Sequence, residues 1–205
     1  MTNPAEPVAA GPPDANPPGA RCFGDGDPLY ADYHDTEWGV PVHGEAALLE
    51  RLALEGFQSG LSWITVLRKR PAFREVFREF DPVQVAAFEA DDVARLLADA
   101  RIIRNRAKIE ATITNAQAVV RLHEQGRTLD ELFWSFAPSP DERPQRPATW
   151  TDVPGFTSAS TTMSKTLKKE GFRFVGPTTA YAAMQACGLV DDHLTTCPVV
   201  LARET

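Results

Sequence analysis

One acidic side chain stands where the helical pattern calls for an apolar one. In the segment 44–56, GEAALLERLALEG, Leu48, Leu52 and Glu55 recur at the spacing of one helical face. The segment therefore predicts a helix with Glu55 on its apolar stripe. Because a buried carboxylate is costly unless it is paired or hydrogen-bonded, Glu55 is either a structural acid or a working group that lines a pocket. The residue pattern alone leaves both interpretations open.

Three large rings flank this acid in the sequence. Tyr30 and Tyr33 precede it in DPLYADYHD, and Trp63 follows it by eight positions. Aromatic residues more often belong to a core than to a site. Rings together with one acid, however, are what a site needs to hold a flat, electron-poor or cationic ring. The rings supply stacking and cation–π attraction, and the carboxylate accepts hydrogen bonds from exocyclic N–H groups.

A second set of residues could bind a metal. Cys22 and His34 lie near the start of the chain, and His193 and Cys197 lie near its end. Two thiolates and two imidazoles would complete a closed tetrahedral zinc site, which is structural because it leaves no position for water. Such a site would staple the start of the ordered chain to its last helix. The spacing alone also fits a chance pairing, since neither half has a compact C-x₂₋₄-C knuckle.

The elements that would position these residues are helices. The 205 residues suit one domain, and valine and isoleucine never alternate over a strand length, so the sequence predicts an all-α fold. We expect a disordered leader rich in Pro, Ala and Gly over 1–20, a helical domain over 21–197 and a flexible tail over 198–205. Predicted helices cover 44–56, a start at Asp81-Pro82, 91–100, 106–126, 128–136, 160–171 and 177–188, and a proline-rich surface loop covers 137–155.

Charge and composition narrow the function classes. The net charge of −7 argues against a uniformly basic nucleic-acid coat, although residues 101–108 carry four basic side chains and no acid. No apolar run approaches the length of a membrane helix, so we expect no membrane association. The three cysteines are an odd number at wide spacing, which favours reduced thiols or metal ligands in the cytoplasm. The sequence also lacks G-x-S-x-G and H-E-x-x-H, and it gives little support to a covalent mechanism.

Long ordered motifs in this chain resemble a known family. The resemblance covers residues 21–197 and is to the DNA-3-methyladenine glycosylase I family, the constitutive alkylation-repair enzymes of bacteria within the helix-hairpin-helix superfamily. The segments that carry it are RCFGDGDPLYADYHDTEWGVP, LEGFQSGLSWITVLRKR, ARIIRNRAKIEATITNAQA, SKTLKKEGFRFVGPTTAYAAMQACGLVDDH and the closing Cys197.

The resemblance implies a role for each candidate residue. It places Cys22, His34, His193 and Cys197 at the positions of one structural Zn²⁺. It makes Glu55 the acid that hydrogen-bonds the lesion base, and it puts Tyr30, Tyr33 and Trp63 in the aromatic pocket. Phe23 or Gly24 stands where the family has a pocket tryptophan, and we assign Phe23 to that wall. The residues implied at the DNA are Gly60 and Leu61 as a wedge, and Arg104, Asn105, Arg106 and Lys108 in a helix-hairpin-helix element over 97–109.

The resemblance also implies an activity. The expected enzyme flips a damaged nucleotide out of double-stranded DNA and hydrolyses its N-glycosidic bond. Free 3-methyladenine and an abasic site are the products, and lyase action is not expected because no suitable Asp or Lys follows Lys108. We expect a cytoplasmic monomer. Two other classes remain: a zinc-stabilised protein that binds alkylated DNA without catalysis, and a helical interaction domain without metal.

Overall fold

The chain is helical throughout the part that the structure describes. The computed structural model describes residues 19–203, and within them there are ten α-helices and no β-strand. This confirms the predicted all-α class. None of the described helices is long and apolar enough to cross a membrane. The helices are α1 Pro28–Thr36, α2 Glu45–Gln58, α3 Trp63–Val76, α4 Pro82–Ala86, α5 Ala90–Ala98, α6 Arg106–Glu124, α7 Leu129–Trp134, α8 Ser158–Lys169, α9 Pro177–Ala186 and α10 Pro198–Arg203.

The structure has three helices that the sequence analysis does not predict, α1, α3 and α10. Helix α1 is short, and it begins at a cap formed by Asp27 with Pro28 in the first helical position. Helix α3 contains Pro71 and the basic run 68–70, which obscure its apolar period. Residues 1–18 of the predicted leader lie outside the described residues. At the other end, residues 198–203 of the predicted tail form α10, where Val200 is buried.

Helix α2 runs through the centre of the domain. It packs against α3, α6, α7 and α9. Because neighbours surround it, every residue from 48 to 57 is buried, including Glu55 and the fully buried Phe57. The ring of Phe57 packs against α3, since its centroid lies 4.6 Å from that of Phe73. Any polar group on this part of α2 must therefore find partners in the interior or face a cavity.

A buried amide fixes the turn between α8 and α9. Asn115 on α6 is 2% exposed, and its Oδ1 accepts a hydrogen bond of 2.7 Å from the backbone N–H of Arg173. Its Nδ2 donates to the carbonyl of Arg173 at 3.2 Å. The next residue, Phe174, has a φ of 55°, a left-handed conformation that a bulky side chain rarely adopts. The two hydrogen bonds of Asn115 hold the backbone that precedes this residue.

The substitution Asn115→Ala should therefore destabilise the fold. It removes two hydrogen bonds and leaves two backbone groups of Arg173 without their partner, which should lower the free energy of unfolding by about 2 kcal/mol. Urea unfolding followed by circular dichroism measures the change. Thr114→Ala, on the exposed side of the same helix, is the matched control. Equal stability of the two variants would contradict the role of Asn115.

Candidate functional site

A single large cavity gathers the residues predicted for base binding. Its volume is about 710 Å³, within the usual range for sites that take small molecules. The cavity opens beside the C-terminal end of α2, where Glu55 faces it. The other predicted residues that line it are Phe23, Tyr30, Tyr33, Gly60, Leu61 and Trp63. Residues far apart in the predicted pattern thus come together around one acid.

Helix α1 positions the rings of Tyr30 and Tyr33. The carboxylate of Asp27 accepts hydrogen bonds from the backbone N–H groups of Leu29 and Tyr30, which fixes the start of the helix. Tyr30 and Tyr33 are three residues apart and so lie on the same face. The ring centroid of Phe23 lies 4.8 Å from that of Tyr30 and 6.3 Å from that of Tyr33. These three rings form one continuous aromatic wall.

Trp63 adds a fourth ring beside this wall. The ring of Trp63, at the start of α3, lies 5.4 Å from the ring of Tyr33 at an angle of 47°. Trp63 is 8% exposed, and its indole N–H has no hydrogen-bond partner among the described residues. An unpaired buried donor is uncommon in folded proteins. Trp63 therefore contributes an unpaired buried donor to the surroundings of the pocket.

Glu55 is the acid of this pocket. Its side chain is 6% exposed, and no described residue forms a hydrogen bond with it. Burial raises the pKa of Glu55 to about 8, although the nearby Arg51 pulls in the opposite direction. Burial and the proximity of Glu55 also raise the pKa of Tyr30 to about 12. At neutral pH the pocket therefore holds a largely protonated acid and a neutral tyrosine.

An ion-pair cluster lies behind Tyr33. Glu37 accepts hydrogen bonds from the guanidinium of Arg51 at 2.6 Å and from that of Arg70 at 2.7 Å. Burial alone would raise the pKa of Glu37, but these two arginines lower it to about 2. Both guanidinium groups also lie near the ring of Tyr33, at 5.8 Å and 5.9 Å from its centroid. The cluster keeps Arg51 close to Glu55 without pairing it to Glu55.

Several residues of the cavity wall are not predicted from the sequence. Trp38, Trp150, Tyr181 and Gln185 all line it. Trp150 lies in the predicted surface loop 137–155, and its indole N–H donates to the carbonyl of Cys22 at 2.7 Å. Its ring lies 6.3 Å from that of Phe23. A tryptophan in a proline-rich loop was the available signal, because such a ring is seldom left in solvent without a partner.

The predicted metal ligands also converge. The ligand atoms of Cys22, His34 and Cys197 all lie within 4.8 Å of one another, and all three residues are buried. The ring of His193 lies 5.0 Å from the ring of His34. The Nε2 atom of His193 is buried and has no hydrogen-bond partner among the described residues. The structure thus gathers the ligand atoms of three predicted residues in one buried group, and the fourth residue, His193, lies beside His34 but outside that group.

The orientation of the two histidines suits a metal. Nδ1 of His34 lies 2.8 Å from the carboxylate of Asp35, and Nδ1 of His193 lies 2.8 Å from that of Asp191. A carboxylate that accepts a hydrogen bond from Nδ1 fixes the tautomer in which Nε2 carries no hydrogen and can act as a ligand, and in His34 this Nε2 accepts a hydrogen bond of 3.3 Å from the backbone N–H of Cys22. Two thiols and two such nitrogens form a donor set that suits tetrahedral Zn²⁺. The residues present therefore fit a closed structural zinc site.

The residues predicted to contact DNA do not share one environment. Leu61 is 41% exposed, and Gly60 has a φ of 83° with open space where a Cβ would stand. Arg104 and Arg106 are exposed. Asn105 caps α6, because its side chain accepts a hydrogen bond from the backbone N–H of Lys108.

Lys108 lies in a different place from its neighbours. It is 9% exposed, and its Nζ donates to the carbonyl oxygens of Phe57 at 2.9 Å and Ser59 at 2.8 Å. Burial also lowers the pKa of this lysine. Its ammonium is directed at the end of α2, not at solvent. Neither Arg101 nor Ala107 has a positive φ, so this turn needs no glycine at either position.

The fold and the cavity together define a class of protein. A helical domain that presents one buried acid to a ring-lined cavity is built to bind a planar, electron-poor group. Comparison with known proteins gives the family: residues 23–200 match the model of the methyladenine glycosylases. This chain belongs to that family.

Individual relatives agree with this assignment. The chain is 51% identical over 173 residues to DNA-3-methyladenine glycosylase 1 of Escherichia coli K12, which covers 83% of this chain and 91% of that protein. A crystal structure of a 3-methyladenine DNA glycosylase I superimposes with a TM-score of 0.82 at 48% identity and covers 87% of this chain and 98% of its own. The structure of the Staphylococcus aureus 3-methyladenine DNA glycosylase I, solved to explain 3-methyladenine recognition, has a TM-score of 0.81 at 36% identity and covers 87% and 94% of the two chains.

The protonation of Glu55 predicts an unusual dependence of stability on pH. Unfolding lowers the pKa of this acid from about 8 to its ordinary value, so the folded state retains a proton that the unfolded state loses as pH rises. Stability from this group is present at pH 5 and is lost as pH rises toward 8. Glu55→Gln cannot lose a proton, so its stability relative to the natural protein should increase by about 2 kcal/mol or more between pH 5 and pH 8.5.

Urea unfolding at the two pH values measures this difference. Glu124→Gln changes an exposed acid on α6 and should show no such trend. A constant difference between Glu55→Gln and the natural protein across this range would mean that Glu55 is ionised in the folded state.

Proposed function

We propose that this chain is a DNA N-glycosylase that releases 3-methyladenine from alkylated double-stranded DNA and leaves an abasic site. The observation that carries this proposal is the position of Glu55, a buried acid that faces a ring-lined cavity of about 710 Å³. Family membership supports it, as do the relatives named for this activity and for 3-methyladenine recognition.

The damaged base supplies much of the driving force for its own release. Methylation at N3 gives the adenine ring a positive charge, which weakens the bond between the base and C1′ of the sugar. When this bond breaks, its electron pair moves to the base and neutralises the charge. Water then adds its oxygen to C1′ and loses a proton to solvent. The protein must therefore expose the base and select the cation, and it needs no covalent nucleophile.

The pocket selects the cation through Glu55 and the rings. A cationic base near the carboxyl group lowers its pKa, so that Glu55 gives up its proton to solvent as the base enters. The resulting carboxylate accepts hydrogen bonds from the exocyclic N–H group and balances the charge of the ring. Tyr30, Tyr33 and Trp63 offer their faces to the same cation. Normal adenine is neutral and leaves Glu55 protonated, so it gains neither interaction.

The DNA lies across the rim of the cavity in this proposal. Gly60 and Leu61 enter the duplex where the damaged nucleotide leaves, since Gly60 has no side chain and Leu61 is exposed. The segment 97–109 acts as a helix-hairpin-helix element. Its exposed Arg104 and Arg106 neutralise phosphates, while Asn105 holds the N-terminus of α6, whose free backbone N–H groups favour an anion. No suitable Asp or Lys follows this element, so the enzyme hydrolyses the N-glycosidic bond without lyase action.

One Zn²⁺ per chain is part of the proposal. Cys22, His34, His193 and Cys197 would hold it as a closed site, and its contribution is structural because four protein ligands leave no position for water. The buried, unpaired Nε2 of His193 and the two carboxylates that orient the histidines support this assignment. Three buried cysteines without a disulfide fit a reducing cytoplasm, where we place the protein as a monomer.

Removing the charge of Glu55 should impair catalysis. We expect Glu55→Gln to slow the release of 3-methyladenine from methylated duplex DNA by about 10- to 100-fold, because a hydrogen bond to a charged group contributes about 1.5–3 kcal/mol. Chromatography of the released bases in single-turnover reactions measures the rate. Glu124→Gln is the control and should keep full activity. Unchanged release by Glu55→Gln would remove Glu55 from the site.

The same assay separates an enzyme from a binding protein. If the natural protein retains alkylated DNA but frees no base, the chain is a lesion-binding protein and the proposed activity is wrong.

Zinc content tests the metal proposal. Purified protein should contain one zinc per chain, and Cys197→Ser should lose it together with several degrees of thermal stability, because one ligand is gone and two segments come apart. Cys187→Ser is the matched control, since Cys187 is buried but stands outside the cluster. Mass spectrometry under native conditions and elemental analysis give the stoichiometry. Natural protein without zinc, or full zinc retention in Cys197→Ser, would refute the site.

A further inference from the structure

Two lysines connect the two loops that the proposed function places at the DNA. One is the rim loop, residues 59–62, which joins α2 to α3 and carries Gly60 and Leu61. The other is the inter-helix turn, residues 99–105, which joins α5 to α6 and carries Arg104. Each loop is bound by a lysine from the helix that follows the other loop.

Lys108 binds the rim loop from α6. Its Nζ donates to the carbonyls of Phe57 and Ser59, one on each side of the point where α2 ends. Carbonyl groups in the last turn of a helix have no intrahelical partner, and the negative end of the helix dipole lies there, so a lysine stabilises both. Because Lys108 is 9% exposed, it makes these contacts in the interior, directly beneath the rim loop.

Lys69 binds the inter-helix turn from α3. Its Nζ donates to the carbonyls of Ala100 at 3.2 Å and Arg101 at 3.0 Å. A second contact also joins α3 to the inter-helix turn, since the guanidinium of Arg101 pairs with Glu75 of α3 at 2.8 Å. Lys69 and Lys108 thus form a reciprocal pair: α3 holds the turn that precedes α6, and α6 holds the loop that precedes α3.

We propose that Lys69 and Lys108 are positioning residues that hold the rim loop and the inter-helix turn as one rigid body, so that the grip on phosphates fixes where the wedge enters the duplex. This inference rests on the proposed function. The ammonium groups of both lysines bind backbone carbonyls, so in this proposal the phosphates are bound by the exposed Arg104 and by Arg106, whose guanidinium also pairs with Glu110 at 3.3 Å. In this proposal Arg104 and Arg106 contact the DNA, and Lys69 and Lys108 hold the loops that present these arginines and the wedge.

Lys108→Met provides the main test, because it keeps the length of the buried stem and removes the donor. We expect release of 3-methyladenine from fully paired duplex to fall by about 10- to 100-fold, the loss typical of a displaced reacting geometry. A duplex with a mismatch opposite the lesion costs less to open, so the loss there should be smaller. The slope of log K against log salt for undamaged duplex should stay unchanged, whereas Arg104→Ala should reduce it by about one.

One further measurement and one control variant separate positioning from general damage to the fold. Binding of free 3-methyladenine, followed by tryptophan fluorescence, should be the same in Lys108→Met and the natural protein, because the pocket walls remain. Lys168→Met, at an exposed lysine on α8, is the matched control and should match the natural protein in every assay.

Lys69→Met gives a second variant in case Lys108→Met fails to fold. Lys69 is half-buried, and the pair between Arg101 and Glu75 remains, so the effect should run in the same direction and be smaller. If both single variants fold, the double variant should lose less than the product of the two losses, because either substitution already breaks the connection.

Each opposite outcome overturns the inference. A salt slope lowered by about one in Lys108→Met would make Lys108 a phosphate contact, and equal losses on paired and mismatched duplex would mean that opening the duplex is not the affected step. If both variants keep the activity of the natural protein, the two lysines have no positioning role and the inference is wrong. Absence of base release by the natural protein would refute the proposed function itself, a result distinguishable from all of these.

Discussion

The burial of one carboxyl group in the central helix is the constraint on which the site depends. Burial alone would keep Glu55 protonated far above neutral pH, and a direct ion pair with Arg51 would keep it ionised. The structure gives an intermediate state, with a pKa of about 8 set by burial and reduced by Arg51. An acid in this range changes its protonation state at little cost when a cation arrives. It can therefore respond to the charge of a ligand, which a paired carboxylate cannot do.

This intermediate state requires that Arg51 be kept from pairing with Glu55. The two residues are one helical turn apart on α2, a spacing at which oppositely charged side chains usually meet. Glu37 prevents this, because it binds Arg51 and Arg70 together and is itself strongly acidic. Without Glu37, two uncompensated cations would lie within 6 Å of the centre of the Tyr33 ring and repel a cationic ligand in the cavity. Glu37 does not line the cavity, but by binding Arg51 it keeps Glu55, which does line the cavity, free of an ion pair.

The sequence predicts the elements of the site better than their surroundings. The apolar period of α2 placed Glu55 on the buried face, and the structure puts it there, because a helix period is a local property. Trp150 was assigned to a surface loop, since its partner, the carbonyl of Cys22, lies 128 positions away and leaves no local trace. Lys108 was grouped with Arg104 and Arg106 for the same reason. A basic run records charge, whereas burial against the end of α2 depends on tertiary packing.

Residues of the candidate metal cluster are adjacent in the chain to residues of the cavity wall. Cys22 is followed by Phe23, and Tyr33 is followed by His34, so at both places a cluster residue and a wall residue are neighbours in the chain. Trp38 makes the same link from the side, because its ring lies 4.6 Å from that of His193 and 5.1 Å from that of Phe23. Any shift of the four cluster side chains must therefore move the rings of one cavity wall. The packing of this cluster therefore bears on the shape of the cavity beside Glu55.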